Sequence, residues 1–167
     1  MESENEALLE LLDEAFDAAA WHGPSLLLAL RGVDRSRALW RPGPSRPCIW
    51  EIVLHCGYWK HRVRRRLAPG SGAGFPRRGR DWPRLPESPT AAAWRADVAL
   101  LREEHRRLKE VVAAYPPGAL RDPAPGHRGP AIEQIRGIAL HDVYHAGQIR
   151  LLRRLAEGAQ DRAMVAG

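Results

Sequence analysis

The sequence predicts an all-α protein, a four-helix bundle with a long crossover loop between the second and third helices. Three observations predict it. Apolar residues recur at helical spacing in four separate stretches, and no strand-like alternation persists. A Pro- and Gly-rich segment, Pro69 to Pro89, separates the second stretch from the third and is too punctuated to be helical. The length, 167 residues at 44% hydrophobic, is about one domain's worth, so residues 1–167 read as a single bundle.

The first helix is expected from about Glu4 to Arg31, with Leu8, Leu11, Leu12, Ala15, Phe16 and Ala19 on one side. Gly23-Pro24 should kink or restart it, since proline removes an amide donor and crowds the preceding turn. The second runs from about Cys48 to Leu67, with Pro47 suited to its first turn and Ile52, Cys56, Trp59, Val63 and Leu67 as its stripe. Phe75 and Trp82 suggest that the crossover packs on the domain. Ser88-Pro89 reads as a cap and first residue for the third helix, which reaches about Tyr115 through Trp94, Val98, Leu101, His105, Leu108 and Val112. Pro116-Pro117-Gly118 ends it. The fourth helix follows Gly129-Pro130 and reaches about Glu157, where Gly158 can cap it.

Composition narrows the function classes. No apolar run approaches the ~18–20 residues needed to cross a bilayer. Met1 to Asp17 carries seven acidic residues and no Lys or Arg, the reverse of a signal or transit peptide, so a cytoplasmic protein is expected. Cys48 and Cys56 on one helix would stand ~12 Å apart along its axis, too far for a disulfide. The net charge of +6 and the Arg62, Arg64, Arg65, Arg66, Arg77, Arg78 and Arg80 patch admit nucleic acid as a partner. No zinc-finger spacing, RNA-recognition signature or helix-turn-helix accompanies that patch, so nucleic acid is not favoured.

The seven histidines carry the most information. His141 and His145 are four apart on the fourth helix, which puts both imidazoles on one face with Cβ atoms ~5–6 Å apart, suited to sharing a divalent ion. They flank the apolar face of Ile138, Ile149 and Leu152. A third ligand is needed. His55 shares the inward face of Ile52 and Trp59. His105 occupies a core-stripe position, where a hydrogen-bonded core histidine is the plainer reading. His61, beside Arg64 and Arg65, reads as a rim residue. His22 adjoins the Gly23-Pro24 break, either aimed into a cavity mouth or simply exposed, and His127 sits in a loop.

Several of these segments resemble the DinB/YfiT-like family, four-helix proteins named for DNA-damage induction and regarded as metalloenzymes. The matching motifs are His141-Asp142-Val143-Tyr144-His145-Ala146-Gly147-Gln148-Ile149 and Ile49-Trp50-Glu51-Ile52-Val53-Leu54-His55. Trp21-His22-Gly23-Pro24 and Asp81-Trp82-Pro83 also look like a branch of that family. The resemblance covers roughly residues 12–156. It implies a metal triad of His55, His141 and His145 binding nickel, zinc or another divalent cation, and frequent homodimers. Characterised relatives include transferases and an isomerase that use low-molecular-weight thiols.

The expected function is therefore that of a metal-dependent enzyme of the thiol-dependent S-transferase type, acting on a small molecule; hydrolysis at the metal is the lesser expectation. Three neutral ligands leave the ion its full charge and an open position, which would make a thiol nucleophilic near neutral pH. Arg-rich rims could bind a thiol's carboxylates. Glu51, Asp142 and Tyr144 are candidate proton-handling groups; His22 and Trp82 are candidate substrate-binding groups. The alternatives are a non-catalytic, metal-stabilised bundle and a basic nucleic-acid-binding protein.

Overall fold

The computed structural model describes residues 3–70 and 72–165. The architecture is all-α. Helix α1 (Glu4–Phe16) opens with a reciprocal cap: Ser3 Oγ accepts the Glu6 amide at 3.2 Å, and Glu6 Oε2 accepts the Ser3 amide at 2.6 Å. It stops fifteen residues short of the expected Arg31. Beyond Phe16 the next side chain larger than alanine on an apolar position is Trp21, which is fully exposed, so further helix would bury nothing. The chain instead forms a two-residue hairpin, β1 (Ala19–Ala20) against β2 (Gly23–Pro24), with Gly23 in the left-handed region at φ +115°. Two short helices follow, α2 (Leu26–Ala29) and α3 (Arg35–Leu39), the second capped by Asp34.

Helix α4 (Ile49–Leu67) matches the expected second helix, with Cys48 at the N-cap and Glu51 Oε2 accepting its amide at 3.0 Å. Buried residues lie almost all round it, because it is the central helix. Helix α5 (Ala91–Ala113) starts two residues later than expected: Thr90, not Ser88, caps it, accepting the Ala93 amide. After a 3₁₀ turn at Pro117–Ala119, α6 (Ala131–Val165) runs straight through Gly158, the expected terminator. Glycine inside a helix costs only about 1 kcal/mol, which does not end a helix by itself.

Helix α5 packs on α4 and α1, and α6 packs on α1, α2 and α4, closing the four-helix ring. Its interior holds two apolar clusters. One gathers Trp50, Leu54, Trp94, Leu101 and Ile149; the other gathers Leu8, Leu12, Leu108, Ile135 and Ile138. Along α4 and α6 the buried Lys60 falls between Cys56 of the first cluster and Val63 of the second, and the buried Asp142 falls between Ala139 of the second and Ala146 of the first. The crossover docks as expected. Arg77 donates to Asp97 Oδ1 from Nε at 2.9 Å and Nη2 at 2.6 Å, and Asp97 Oδ2 accepts the Trp50 indole at 2.8 Å. Phe75 lies in contact distance of where a side chain at Gly57 would be.

Candidate metal centre

Three histidines meet where α4, α6 and the crossover converge. His55 Nε2 is 3.0 Å from His141 Nε2, which is 3.1 Å from His145 Nε2. The outer nitrogens decide what those atoms carry. His55 Nδ1 lies 2.7 Å from the Asp81 carbonyl oxygen, and His145 Nδ1 lies 2.7 Å from Gln148 Oε1. Both partners only accept, so each Nδ1 holds the proton and each Nε2 presents a lone pair. Two lone pairs thus point at the Nε2 of a third ring, whose own Nδ1 is buried without a hydrogen-bond partner among the described residues. Imidazole nitrogens bind such ions at about 2.0–2.1 Å, which sets them about 3.0 Å apart at right angles and about 3.4 Å apart in a tetrahedron. The observed spacing fits a divalent cation held by three neutral imidazoles.

Electrostatics keep the rings in that form. Burial, then the charges of His145, His55 and Lys60, hold His141 down to about 3. Burial takes His145 down to about 4 and lowers His55 as well. All three are neutral across the neutral pH range, the state a metal ligand needs.

The crossover supplies one wall. Trp82 stacks on His55 with centroids 4.1 Å apart and planes 16° apart, and meets His145 edge-on at 6.3 Å. Asp81, at φ +60°, sends its carbonyl to His55 and its carboxylate to the Trp59 indole at 2.7 Å. Behind the triad, the Lys60 ammonium donates to Asp142 Oδ2, both side chains being fully buried, and lies 4.8 Å from the centre of the Phe16 ring. Burial pushes Asp142 up to about 6 and raises the Cys56 thiol well above its usual range. Donor atoms of Cys56, His141 and Asp142 lie within 4.8 Å of one another. With the thiol held protonated and the carboxylate committed to Lys60, they are the weaker ligand set.

The remaining sequence candidates disperse. Glu51 is bound on both oxygens by Arg41, at 2.6 and 2.7 Å; burial alone would raise its pKa, but those bonds and the Cys48 amide hold it lower. Asp142 is fully buried in the core, where Lys60 compensates its charge. Tyr144 is exposed and accepts from Gln148 Nε2 at 2.9 Å, its ring 5.0 Å from His145. His22 is not brought to the triad. It lines a cavity with Pro24, Val143, Gly147, Arg150, Leu151 and Arg154, on the face of α6 turned away from His141 and His145. His61 is not a rim residue: it is buried, 3.1 Å from Arg64 Nη2 and 3.5 Å from Glu104 Oε1. His105 is buried and stacks on Phe16 at 3.7 Å, but neither ring nitrogen has a hydrogen-bond partner among the described residues, contrary to the expectation of a hydrogen-bonded core histidine.

Three contributors had no assigned role from sequence: Asp81, Gln148 and Lys60. Gln148 could have been found, since it stands three residues after His145 on the same helical face. Lys60 also had a signal, falling on the Cys56-to-Val63 stripe at spacings of four and three. Asp81 had only its place in the Asp81-Trp82-Pro83 segment, because its contribution to His55 is a carbonyl aimed by loop conformation.

No curated protein and no solved structure matches the chain. The family model described as the DinB superfamily matches residues 18–149, a span that holds all three histidines and both residues that orient them. The chain belongs to the DinB superfamily.

Proposed function

We propose that this protein is a divalent-metal-dependent enzyme of the thiol-dependent S-transferase type, with nickel or zinc at His55, His141 and His145, working on a small molecule in the cytoplasm. The observation that carries the reading is the convergence of three Nε2 atoms at 3.0 and 3.1 Å, with two outer nitrogens tied to acceptors. A bound cation supplies the positive charge that favours the deprotonated, nucleophilic form of a thiol near neutral pH. The chain's own side chains do the rest. Asp81 and Gln148 fix the tautomers of His55 and His145. Trp82 and Trp59 keep water from the His55 ring. The Tyr144 hydroxyl, steadied by Gln148, stands beside His145 at the solvent edge, where it can hold or pass a proton.

A homodimer is part of this reading. Leu140, Tyr144, Leu151 and Leu155 form an exposed apolar stripe along α6, which supports a second copy as its cover.

Elemental analysis of protein purified without chelators or a histidine tag, followed by a thiol-conjugation screen, tests the proposal. Turnover that needs both the metal and a thiol supports it. Stoichiometric metal with no turnover in the screen favours the metal-stabilised bundle, and salt-dependent retention on DNA favours the nucleic-acid reading.

A further inference from the structure

A second cavity, of about 440 Å³, opens beside the triad and shares a wall with it. Its lining includes Arg41, Arg46, Glu51, Trp82 and Arg84. Trp82 therefore presents one environment to two places, stacked on His55 and bordering this cavity. Glu51 precedes His55 by one helical turn, about 6 Å along the α4 axis, a distance a few single bonds long. The charges in the cavity are unequal. Arg41 and Glu51 satisfy each other through two hydrogen bonds. Arg46 and Arg84 are exposed, and neither guanidinium has a hydrogen bond or ion pair among the described residues. Two unmatched guanidiniums, an indole wall and a volume within the range of small-molecule sites describe a place for a carboxylate or phosphate.

We infer that this cavity takes the anionic end of the molecule whose other end reaches the three histidines, which, resting on the function proposed above, makes the thiol one that bears carboxylates. Arg46 and Arg84 hold the anion as a pair of forks. Trp82 lies between the anion and the histidines and sets the separation of the two ends.

Two titrations test this. In the first, succinate is added to the zinc-loaded protein and the Trp82 indole N–H resonance is followed. It should shift in a saturable way, and an Arg46→Glu, Arg84→Glu double variant should weaken that binding at least ~10-fold. A control pair of equal charge change, Arg62→Glu with Arg136→Glu on exposed positions elsewhere, should leave it within about twofold. In the second, the cobalt-substituted protein is titrated with mercaptosuccinate and with 2-mercaptoethanol, reading thiolate-to-cobalt absorption. Mercaptosuccinate should bind at least ~10-fold more tightly, and the double variant should erase that preference while leaving 2-mercaptoethanol unchanged. Equal binding of the two thiols overturns the inference and leaves the thiol reading standing. A preference lost equally in the control pair overturns it too, by reducing it to the overall positive charge. If neither thiol changes the spectrum, the proposed transferase chemistry fails, and the succinate titration alone decides the cavity: an Arg46- and Arg84-dependent shift upholds it, and no shift overturns it.

Discussion

Trp82 lies flat on His55, centroids 4.1 Å apart, although one belongs to the crossover and the other to the central helix. The stack fixes the plane of a ring whose Nδ1 is already anchored by the preceding residue's carbonyl. Trp82→Ala removes that restraint without removing a ligand. It should keep stoichiometric metal but weaken affinity by about 10-fold, within the ~10–100-fold usual for groups that orient ligands. Trp82→Phe should recover most of the loss in a chelator competition titration.

Ligand identity is checked by a set of single replacements. His55→Ala, His141→Ala or His145→Ala should each abolish stoichiometric metal. His61→Ala should keep it, because His61 faces Arg64 and Glu104 and not the triad. Its cost should appear in stability, about 1–3 kcal/mol for disturbing a buried polar pair, read by denaturant unfolding.

Gln148 and Tyr144 should separate cleanly. Gln148→Leu takes the acceptor from His145 Nδ1 and should lower metal affinity about 10–100-fold. Tyr144→Phe leaves that acceptor in place and should hold metal as tightly as the parent. Any deficit in Tyr144→Phe should be confined to turnover.

The Lys60–Asp142 pair is set between the two apolar clusters with no access to solvent. Lys60→Met alone strands a buried carboxylate and should cost about 3–5 kcal/mol. Lys60→Met with Asp142→Leu removes both charges and should restore most of the stability. Urea unfolding of the two variants measures the difference.

Acid should unfold the protein partly through His105. Burial, then Lys60 and Lys109, depress its pKa to about 2, and Asp13 Oδ1 at 3.6 Å is too far to bond it. Between ~6.5 and that value the unfolded chain binds a proton that the folded one refuses. The stability is thus whole above about pH 6.5 and declines as pH falls, by up to about tenfold in the folding equilibrium per pH unit. His105→Phe keeps a ring against Phe16 and should make the decline between about pH 6.5 and 5 shallower by one proton's share, leaving the shares of His141 and His145.

Much of this was legible in the residues. The i, i+4 pair on α6 and the inward position of His55 follow from helical spacing, and α4 and α5 lie within two residues of their expected starts. What failed has a common cause. The hairpin at Ala19–Pro24, α3, and the burial of His61 depend on what the chain meets in space, not on local periodicity. Phe16 and Trp21 have similar apolar character, yet one is buried and the other is fully exposed. Likewise His61 looked like part of an arginine-rich rim until Glu104 on another helix accounted for its burial.

Asp81 ties the long crossover to His55 through its main chain, so no side-chain replacement at that position can remove the bond while the loop keeps its course. Thermodynamic reciprocity follows. Whatever an ion gains from His55 being held, the loop gains from the ion being present, by an amount that grows with the logarithm of ion concentration over its dissociation constant. The crossover carries Arg78, Arg80 and Arg84, all of them trypsin targets. Nicking there becomes a gauge of occupancy, slow in metal-saturated protein and faster after chelation, and it reads the centre without any knowledge of the reaction.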